Sequence, residues 1–230
     1  MSDINQLISI IIPVFNESES IGFLLNEVIS VMESHKLNFE LIVVNDGSKD
    51  DTHQVLKQLT FKITELSVIC LRKNYGQTAA MAAGFENSKG DILITLDGDL
   101  QNDPKDIPKL ISEINNGYDL VCGWRFDRKD KLINRKIPSK IANKLIAKVT
   151  GLKLHDYGCS LKAFKKEIID DIKLYGELHR FLPVLANIEG ARIKEIKVNH
   201  RSRKYGSSKY GIDRTFRVLM DLLTVWFMTK

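Results

Sequence analysis

Two carboxylates separated by a single glycine stand at the end of an apolar run. Ile92-Leu-Ile-Thr-Leu96 leads directly into Asp97-Gly-Asp-Leu-Gln-Asn-Asp-Pro104. On an extended backbone Asp97 and Asp99 project to the same side, and Gly98 leaves room for a ligand to come close to the chain. Like charges at that spacing repel unless a proton or a cation sits with them. A hard divalent ion, Mg2+ or Mn2+, takes oxygen ligands and commonly shares them with substrate phosphates. Gln101 offers a third oxygen. The competing reading is an acidic loop that starts the helix after Pro104, a role that suits Asp103.

Opposite charges gather elsewhere. Between Arg125 and Lys148 there are nine Lys or Arg and two acids, and the same balance holds between Arg192 and Arg217, in a chain of net charge +5. Such clusters can meet nucleic acid, anionic lipid or a phosphorylated substrate. In Arg201-Ser-Arg-Lys-Tyr-Gly-Ser-Ser-Lys209, four cations alternate with hydroxyls and a glycine, which suits phosphate recognition. No nucleic-acid-binding module is recognisable, and the acidic edge would repel a nucleic acid backbone. The five histidines have no metal spacing, and Cys70, Cys122 and Cys159 have neither disulfide nor zinc spacing, which points to a reducing compartment. No G-x-G-x-x-G and no G-x-x-x-x-G-K-[ST] occurs, which argues against a dinucleotide fold and a P-loop NTPase.

The elements that must position these groups follow from periodicity. Short apolar runs at Ile8–Val14, Leu41–Val44, Ser67–Leu71, Asp91–Leu96 and Asp119–Gly123 alternate with helical patterns, of which Ile21, Leu24, Leu25, Val28 and Met32 form the clearest. A helix is expected near Ser48, with Asp51 completing a capping box, and others over Thr78–Asn87 and Pro104–Asn116. Continuous apolar strands alternating with helices imply an α/β fold whose mostly parallel sheet is covered on both faces. In such sheets ligands bind beyond the carboxyl ends of the strands. Those ends carry Asn16-Glu17, Asn45-Asp46-Gly47, Arg72-Lys73-Asn74, Asp97-Gly98-Asp99 and Trp124-Arg125. Asp46 is placed to accept the imide N–H of a base, although a plain strand-to-helix turn explains it equally well. After Arg125 the alternation breaks into a basic helical segment, a strand near Ser160–Phe164, a helix around Phe181–Ala186 and a strand at Ile193–Val198. Gly211–Lys230 forms an amphipathic terminal helix, too short in its apolar part to cross a bilayer, which needs about 20 residues. The opening residues carry no secretory signal.

With these residues in view, the sequence resembles a known family. IIPVFNE (11–17), VVNDGSKDDT (43–52), RKNYGQTAAMAAGF (72–85) and DGDLQNDP (97–104) resemble family-2 glycosyltransferases of the GT-A (Rossmann-like) fold. CGWR (122–125), DYGCSLKAF (156–164), ELHRFLP (177–183) and HRSRKYGSSKYG (200–211) narrow the resemblance to the polyprenyl-phosphate glycosyltransferases, such as dolichyl-phosphate mannose synthases and bacterial undecaprenyl-phosphate glucosyltransferases. It implies a catalytic domain over 1–210, a juxtamembrane helix over 211–230, and inverting sugar transfer from a UDP- or GDP-sugar to a polyprenyl phosphate for cell-envelope glycan modification. Pro13, Phe15, Glu17 and Asp46 would hold the nucleotide, and Asp97, Asp99 and Gln101 a Mg2+ or Mn2+ ion. Arg125, Arg135, Ser139, Arg203 and Lys209 would engage the acceptor phosphate. Asp156, in a D-x-G motif, would orient the sugar or a cationic partner, joining Asp97, Asp99 and Arg125 as the catalytic set.

Bacterial members of that group continue into two transmembrane helices that the sequence up to Lys230 lacks, so the expectation is a chain on the cytoplasmic face of the cell membrane, compatible with a homo-oligomer. Two other readings stay open. A glycosyltransferase with a soluble or glycan acceptor would share the donor site but need a general base. A binder of anionic lipid would use the basic patches and leave the acidic array without a task.

Overall fold

The computed structural model describes residues 6–127, 146–148, 150–205, 225 and 227. Its first strand shows why the sequence reads as continuous apolar runs. In β1 (Leu7–Val14) every residue from Ile8 to Ile12 is buried. Ile8, Ile10, Ile12 and Val14 pack in one cluster while Ile11 joins another on the opposite face, so both faces of the strand are covered. β2 (Asn38–Asn45) and β4 (Ile92–Thr95) are equally apolar, and β3 (Leu66–Cys70) forms the edge beyond β2.

α1 (Ile21–Ser34) buries Ile21, Leu24, Leu25, Val28 and Met32 on the first face, joined by α4 (Ile107–Asn115) through Ile107, Leu110, Ile111 and Ile114. α2 (Thr52–Thr60) contributes Leu56 to the same cluster. The second face is covered by α3 (Gln77–Glu86), through Ala80, Met81 and Phe85, and by α6 (Leu182–Ile188). β5 (Leu120–Arg125), β6 (Lys162–Lys165), the short α5 (Lys166–Asp170) and β7 (Ile193–Val198) follow.

The seven strands lie in the order β3-β2-β1-β4-β6-β5-β7. β6 runs antiparallel to both β4 and β5, and every other pairing is parallel. This is the expected α/β sheet flanked by helices. The strand order reverses at β1 and β4, which places a crevice at their carboxyl ends. Because β6 runs the other way, the segment leading into it, Asp156–Leu161, arrives at the same edge. Beyond Arg125 the sequence predicts β6, α6 and β7 in order, but it misses α5 and the antiparallel insertion between β4 and β5.

One local expectation needs correction. The second helix begins at Thr52, not near Ser48, and Asp51 makes no side-chain capping bond. The helix after Pro104 begins with a 3-10 turn, Pro104–Asp106, capped by Asp103 accepting from the Lys105 N–H at 3.2 Å. Most of the basic segment after Asp127 and most of 211–230 lie outside the described residues, as do Arg135, Ser139, Lys209 and the 210/211 boundary. Val225 and Phe227 are helical; Val225 is buried in a third cluster with Ile146, Tyr157 and Phe181, and Phe227 is exposed. Among the described residues no helix is long and apolar enough to cross a membrane.

Packing between α3 and β1 makes a specific demand at Gly84, where an added Cβ would lie 2.3 Å from Ile11 Cγ2. Gly84→Ala should therefore destabilise the protein by about 1–3 kcal/mol, the cost of overpacking, despite the usual helical gain of alanine. Gly22→Ala in α1, where a Cβ meets nothing within 4 Å, should instead be neutral or stabilising by about 0.5 kcal/mol. Urea denaturation of both variants checks the contrast.

Candidate active site

The acidic motif leaves extended geometry as soon as β4 ends. Gly98 and Asp99 form a turn, and Leu100 adopts a left-handed φ of 63°. A Cβ at Gly98 would sit 2.7 Å from Val14 Cγ1, so this glycine lets the turn pack onto the end of β1. Asp97 accepts a hydrogen bond from Gln77 Nε2 at 2.7 Å, and its N–H donates to Asn102 Oδ1 at 3.3 Å. Asp99 is buried, and its Oδ1 accepts the Gln101 N–H at 3.1 Å. Its Oδ2 accepts from Arg203 Nη2, which also donates to Gln101 Oε1 at 3.3 Å. Arg203 Nη1 lies 3.9 Å from Glu17 Oε1. Burial, then the charge of Asp97, raise the Asp99 carboxyl to about 6 against the opposing pull of Arg203.

The loops after β1 and β2 are stitched together beside this turn. Asn16, at φ 52°, donates its N–H to Ser48 Oγ at 2.9 Å and accepts from the Lys49 N–H at 2.7 Å. Ser48 N–H in turn donates to Asn45 Oδ1 at 2.9 Å. Ser48 is thus engaged in loop contacts, which is why it does not start the helix. Glu17 receives the Ser20 hydroxyl at 2.7 Å and donates its N–H to Thr52 Oγ1 at 2.9 Å. Both carboxylate oxygens of Asp46 accept backbone N–H groups, from Tyr75 at 2.7 Å and Gly76 at 2.9 Å. Burial raises the Asp46 carboxyl, with these two bonds opposing it. At Gly47 φ is +66° and a Cβ would lie 2.4 Å from the Lys73 carbonyl carbon, so only glycine fits between these two loops. Pro13 and Phe15 flank the crevice, each partly exposed.

A second charge pair lies across the edge. Arg125, the last residue of β5, holds Asp156 through Nε to Oδ2 at 2.7 Å and Nη2 to Oδ1 at 2.9 Å. Burial would raise the Asp156 carboxyl, but Arg125 and its bonds hold it down at about 2. Arg125 is correspondingly pushed above its ordinary value by Asp156, against its own burial. Asp156 is fixed further by Gly158 N–H to Oδ1 at 3.1 Å and by its own N–H to Glu195 at 2.9 Å. Trp124 stacks on His155 with ring centroids 4.1 Å apart, and Lys197 lies over the rings of Trp124 and the exposed Phe126.

The structure therefore brings Asp97, Asp99, Gln101, Glu17 and Arg203 into one network, with Asp46 on the next loop and the Arg125–Asp156 pair across the edge. Several participants escape sequence reasoning. Gln77 starts α3 and orients Asp97. Asn102 sits inside the acidic motif, where it looks like loop filler; its Oδ1 receives the Ser160 hydroxyl at 2.8 Å as well as the Asp97 N–H. Lys162, buried in β6, donates to the Tyr157 carbonyl at 3.5 Å and to the Cys159 carbonyl, bracing the Asp156 segment from beneath. Asp103 does more than cap a helix. It binds Arg201 Nη2 at 2.6 Å and Asn199 Nδ2 at 2.9 Å, tying the segment after β7 to the acidic turn. A cleft of about 370 Å3 opens beside Arg203, lined by Phe23, Glu27, Leu100, Arg201, Arg203 and Lys204.

The donor set suits a divalent cation. Two carboxylates, one of them raised by burial and then by the charge of the other, with an amide oxygen alongside, supply hard oxygen ligands and a charge to neutralise. Among the described residues no three His, Cys, Asp or Glu side chains form a metal-holding group. A cation here would rest on Asp97, Asp99 and Gln101 and take its remaining ligands from a substrate or water.

Comparison with known proteins agrees with this geometry. Residues 9–173 match the model of "Glycosyl transferase family 2". The chain is 49% identical over 227 residues to a dodecaprenyl-phosphate galacturonate synthase of Rhizobium johnstonii, covering 97% of this chain and 67% of that protein. It is 40% identical over 220 residues to an undecaprenyl-phosphate 4-deoxy-4-formamido-L-arabinose transferase of Aeromonas hydrophila, covering 95% of this chain and 67% of that one. The chain thus spans about two thirds of the length of these relatives. In fold it is similar to the crystal structure of glucosyl-3-phosphoglycerate synthase from Mycobacterium tuberculosis in complex with Mn2+ and UDP-glucose. That match has a TM-score of 0.73 at 18% identity, over 98% of this chain and 79% of the other.

The Arg125–Asp156 pair makes a pH prediction. The Asp156 carboxyl is lower in the folded chain, about 2, than its ordinary value of 3.8, so the stability it contributes is complete above about pH 5 and is lost as pH falls toward 2. That contribution is about 2 kcal/mol. Asp156→Asn, which leaves the buried Arg125 without its counterion, should lower stability by about 3 kcal/mol at neutral pH. The gap from wild type should narrow between pH 5 and 2, as read by urea midpoints across that range.

Proposed function

The chain belongs to glycosyl transferase family 2, and from that premise we propose that it moves a sugar from a nucleoside diphosphate donor to the phosphate of a polyprenyl phosphate, with inversion at the anomeric carbon. It is a glycosyltransferase whose relatives at 40–49% identity are named for polyprenyl-phosphate acceptors. The observation that carries the proposal is the meeting of two opposite charge sets at one sheet edge. Asp97, Asp99 and Gln101 form the acidic side, and Arg125 and Arg203 the cationic side.

In this reading Pro13, Phe15, Glu17 and Asp46 frame the nucleotide at the ends of β1 and β2. A Mg2+ or Mn2+ ion on the acidic turn would neutralise charge developing on the leaving diphosphate. The acceptor phosphate is already an anion near neutral pH, so no side chain has to remove a proton from it, in contrast to a glycan hydroxyl. The chain's own task is to strip water from that anion and aim it at the anomeric carbon. Arg125, locked in orientation by Asp156, and Arg203 supply planar donors matched to phosphate oxygens, with Arg135, Ser139 and Lys209 completing the set. The rim of Trp124, Phe126 and Lys197 beside Arg125 combines aromatic and cationic groups suited to the headgroup level of a membrane. This supports a working position on the cytoplasmic membrane face.

The test is a panel of UDP- and GDP-sugars offered with undecaprenyl phosphate and Mn2+, read out as lipid-linked sugar. One donor should give product, and excess EDTA should abolish it. Asp99→Asn should lower kcat at least about 100-fold while leaving the circular dichroism of the folded chain unchanged. Undiminished transfer in EDTA would remove the metal, and transfer confined to glycan acceptors would remove the lipid phosphate. Arg203→Ala should raise the KM for the acceptor at saturating Mn2+ and leave the KM for the donor within about twofold.

A further inference from the structure

Arg203 stands at a point of conflict. As a phosphate ligand it should face the acceptor, yet its guanidinium lies on Asp99 Oδ2 and Gln101 Oε1, two of the three oxygens suited to a divalent cation. A small cation holds such oxygens at about 2.0–2.2 Å. An N–H donor aimed at the same oxygens and a dication beside it disfavour each other, by space and by charge. The two positive groups therefore compete for one set of ligands.

The surrounding chain suits an exchange. Arg201 is anchored on both sides, through Nη1 to Glu27 at 2.6 Å and Nη2 to Asp103 at 2.6 Å, while its N–H donates to the Gln101 carbonyl at 2.8 Å. This fixes the segment's origin beside the acidic turn. Two residues on, in irregular backbone, Arg203 borders the cleft that Lys204, Leu100 and Phe23 also line. That cleft gives the guanidinium somewhere to go while its backbone attachment stays in place.

We propose that Arg203 is the exchangeable counterion of Asp99 and Gln101: a divalent cation binding there displaces the guanidinium and releases it toward the acceptor phosphate, so that metal loading and acceptor capture favour each other. The proposal rests on the reading of Asp97, Asp99 and Gln101 as the cation site. Coupling of this kind is reciprocal: whatever draws Arg203 away from Asp99, a phosphate included, must tighten cation binding by the same factor. The acceptor's arginine is therefore more available when the cation site is filled, and the cation is held more tightly when the acceptor is bound.

The experiment is Mn2+ binding by isothermal titration calorimetry on the full chain, without nucleotide, at fixed ionic strength. Arg203→Met should tighten Mn2+ at least about 5-fold, within the usual range of coupling between sites. Lys204→Met, which removes the same charge one residue away, should change it less than about twofold. Arg203→Lys, a second variant that keeps the charge but loses the planar fork, should fall between wild type and Arg203→Met. Farnesyl phosphate should tighten Mn2+ binding to wild type more than to Arg203→Met, which corrects for chelation by the phosphate itself. Equal gains in Arg203→Met and Lys204→Met, or no gain in either arginine variant, overturn the exchange. Asp99→Asn separates the two levels. If it weakens Mn2+ binding while Arg203→Met fails to strengthen it, the exchange alone is wrong. If it leaves Mn2+ binding unchanged, the cation site is misplaced and the proposal falls with it.

Discussion

Charges that a fold buries must be answered by other charges, and this constraint organises the carboxyl edge of the sheet. Asp99, Asp156 and Asp46 are nearly inaccessible to water. Each is met differently: Asp99 by Arg203, Asp156 by Arg125, and Asp46 by two backbone N–H groups. The consequences diverge as the partners do. A bidentate arginine holds Asp156 at about 2, whereas burial beside a second carboxylate lifts Asp99 to about 6. One acid is a fixed structural anion and the other is poised to exchange its partner. That difference follows from what surrounds each carboxylate, since both are aspartates paired with an arginine.

The antiparallel strand β6 connects these two regions. Its approach segment carries Asp156 toward Arg125 at one end and Ser160 toward Asn102 at the other. Asn102 in turn receives the Asp97 N–H. Lys162 braces the same segment from within the sheet, its ammonium satisfied by backbone carbonyls. The acidic turn and the Arg125–Asp156 pair therefore rest on one short stretch of chain. Asp103, bound to Arg201 and Asn199, ties in the segment after β7 from the other flank.

Much of the framework was readable from residue patterns. β1, β2 and β4 are apolar without alternation because both faces are covered, and α1 and α4 carry their core residues at helical spacing. The edge where ligands gather follows from parallel strands alone, since Asn16-Glu17, Asp46 and Asp97-Gly98-Asp99 all come at strand ends. Ser48 shows where such reading fails. A serine followed three residues later by an acid looks like a helix start, but its hydroxyl is taken by Asn16 from another loop. Gly98 shows a demand of another kind, because Val14, distant in sequence, leaves no space for a Cβ there.

The α/β alternation, the acidic turn, the basic segments and the family are legible in the chain without its fold, because these depend on local periodicity and on residue types in short motifs. Tertiary structure alone decided which acid meets which arginine. Arg203 lies 104 residues from Asp99, and Asp156 lies 31 from Arg125. No local rule spans such distances; only the insertion of β6 between β4 and β5 and the return of the chain beyond β7 bring those charges together. Burial then made the pairings consequential, by removing the water that would otherwise have screened them.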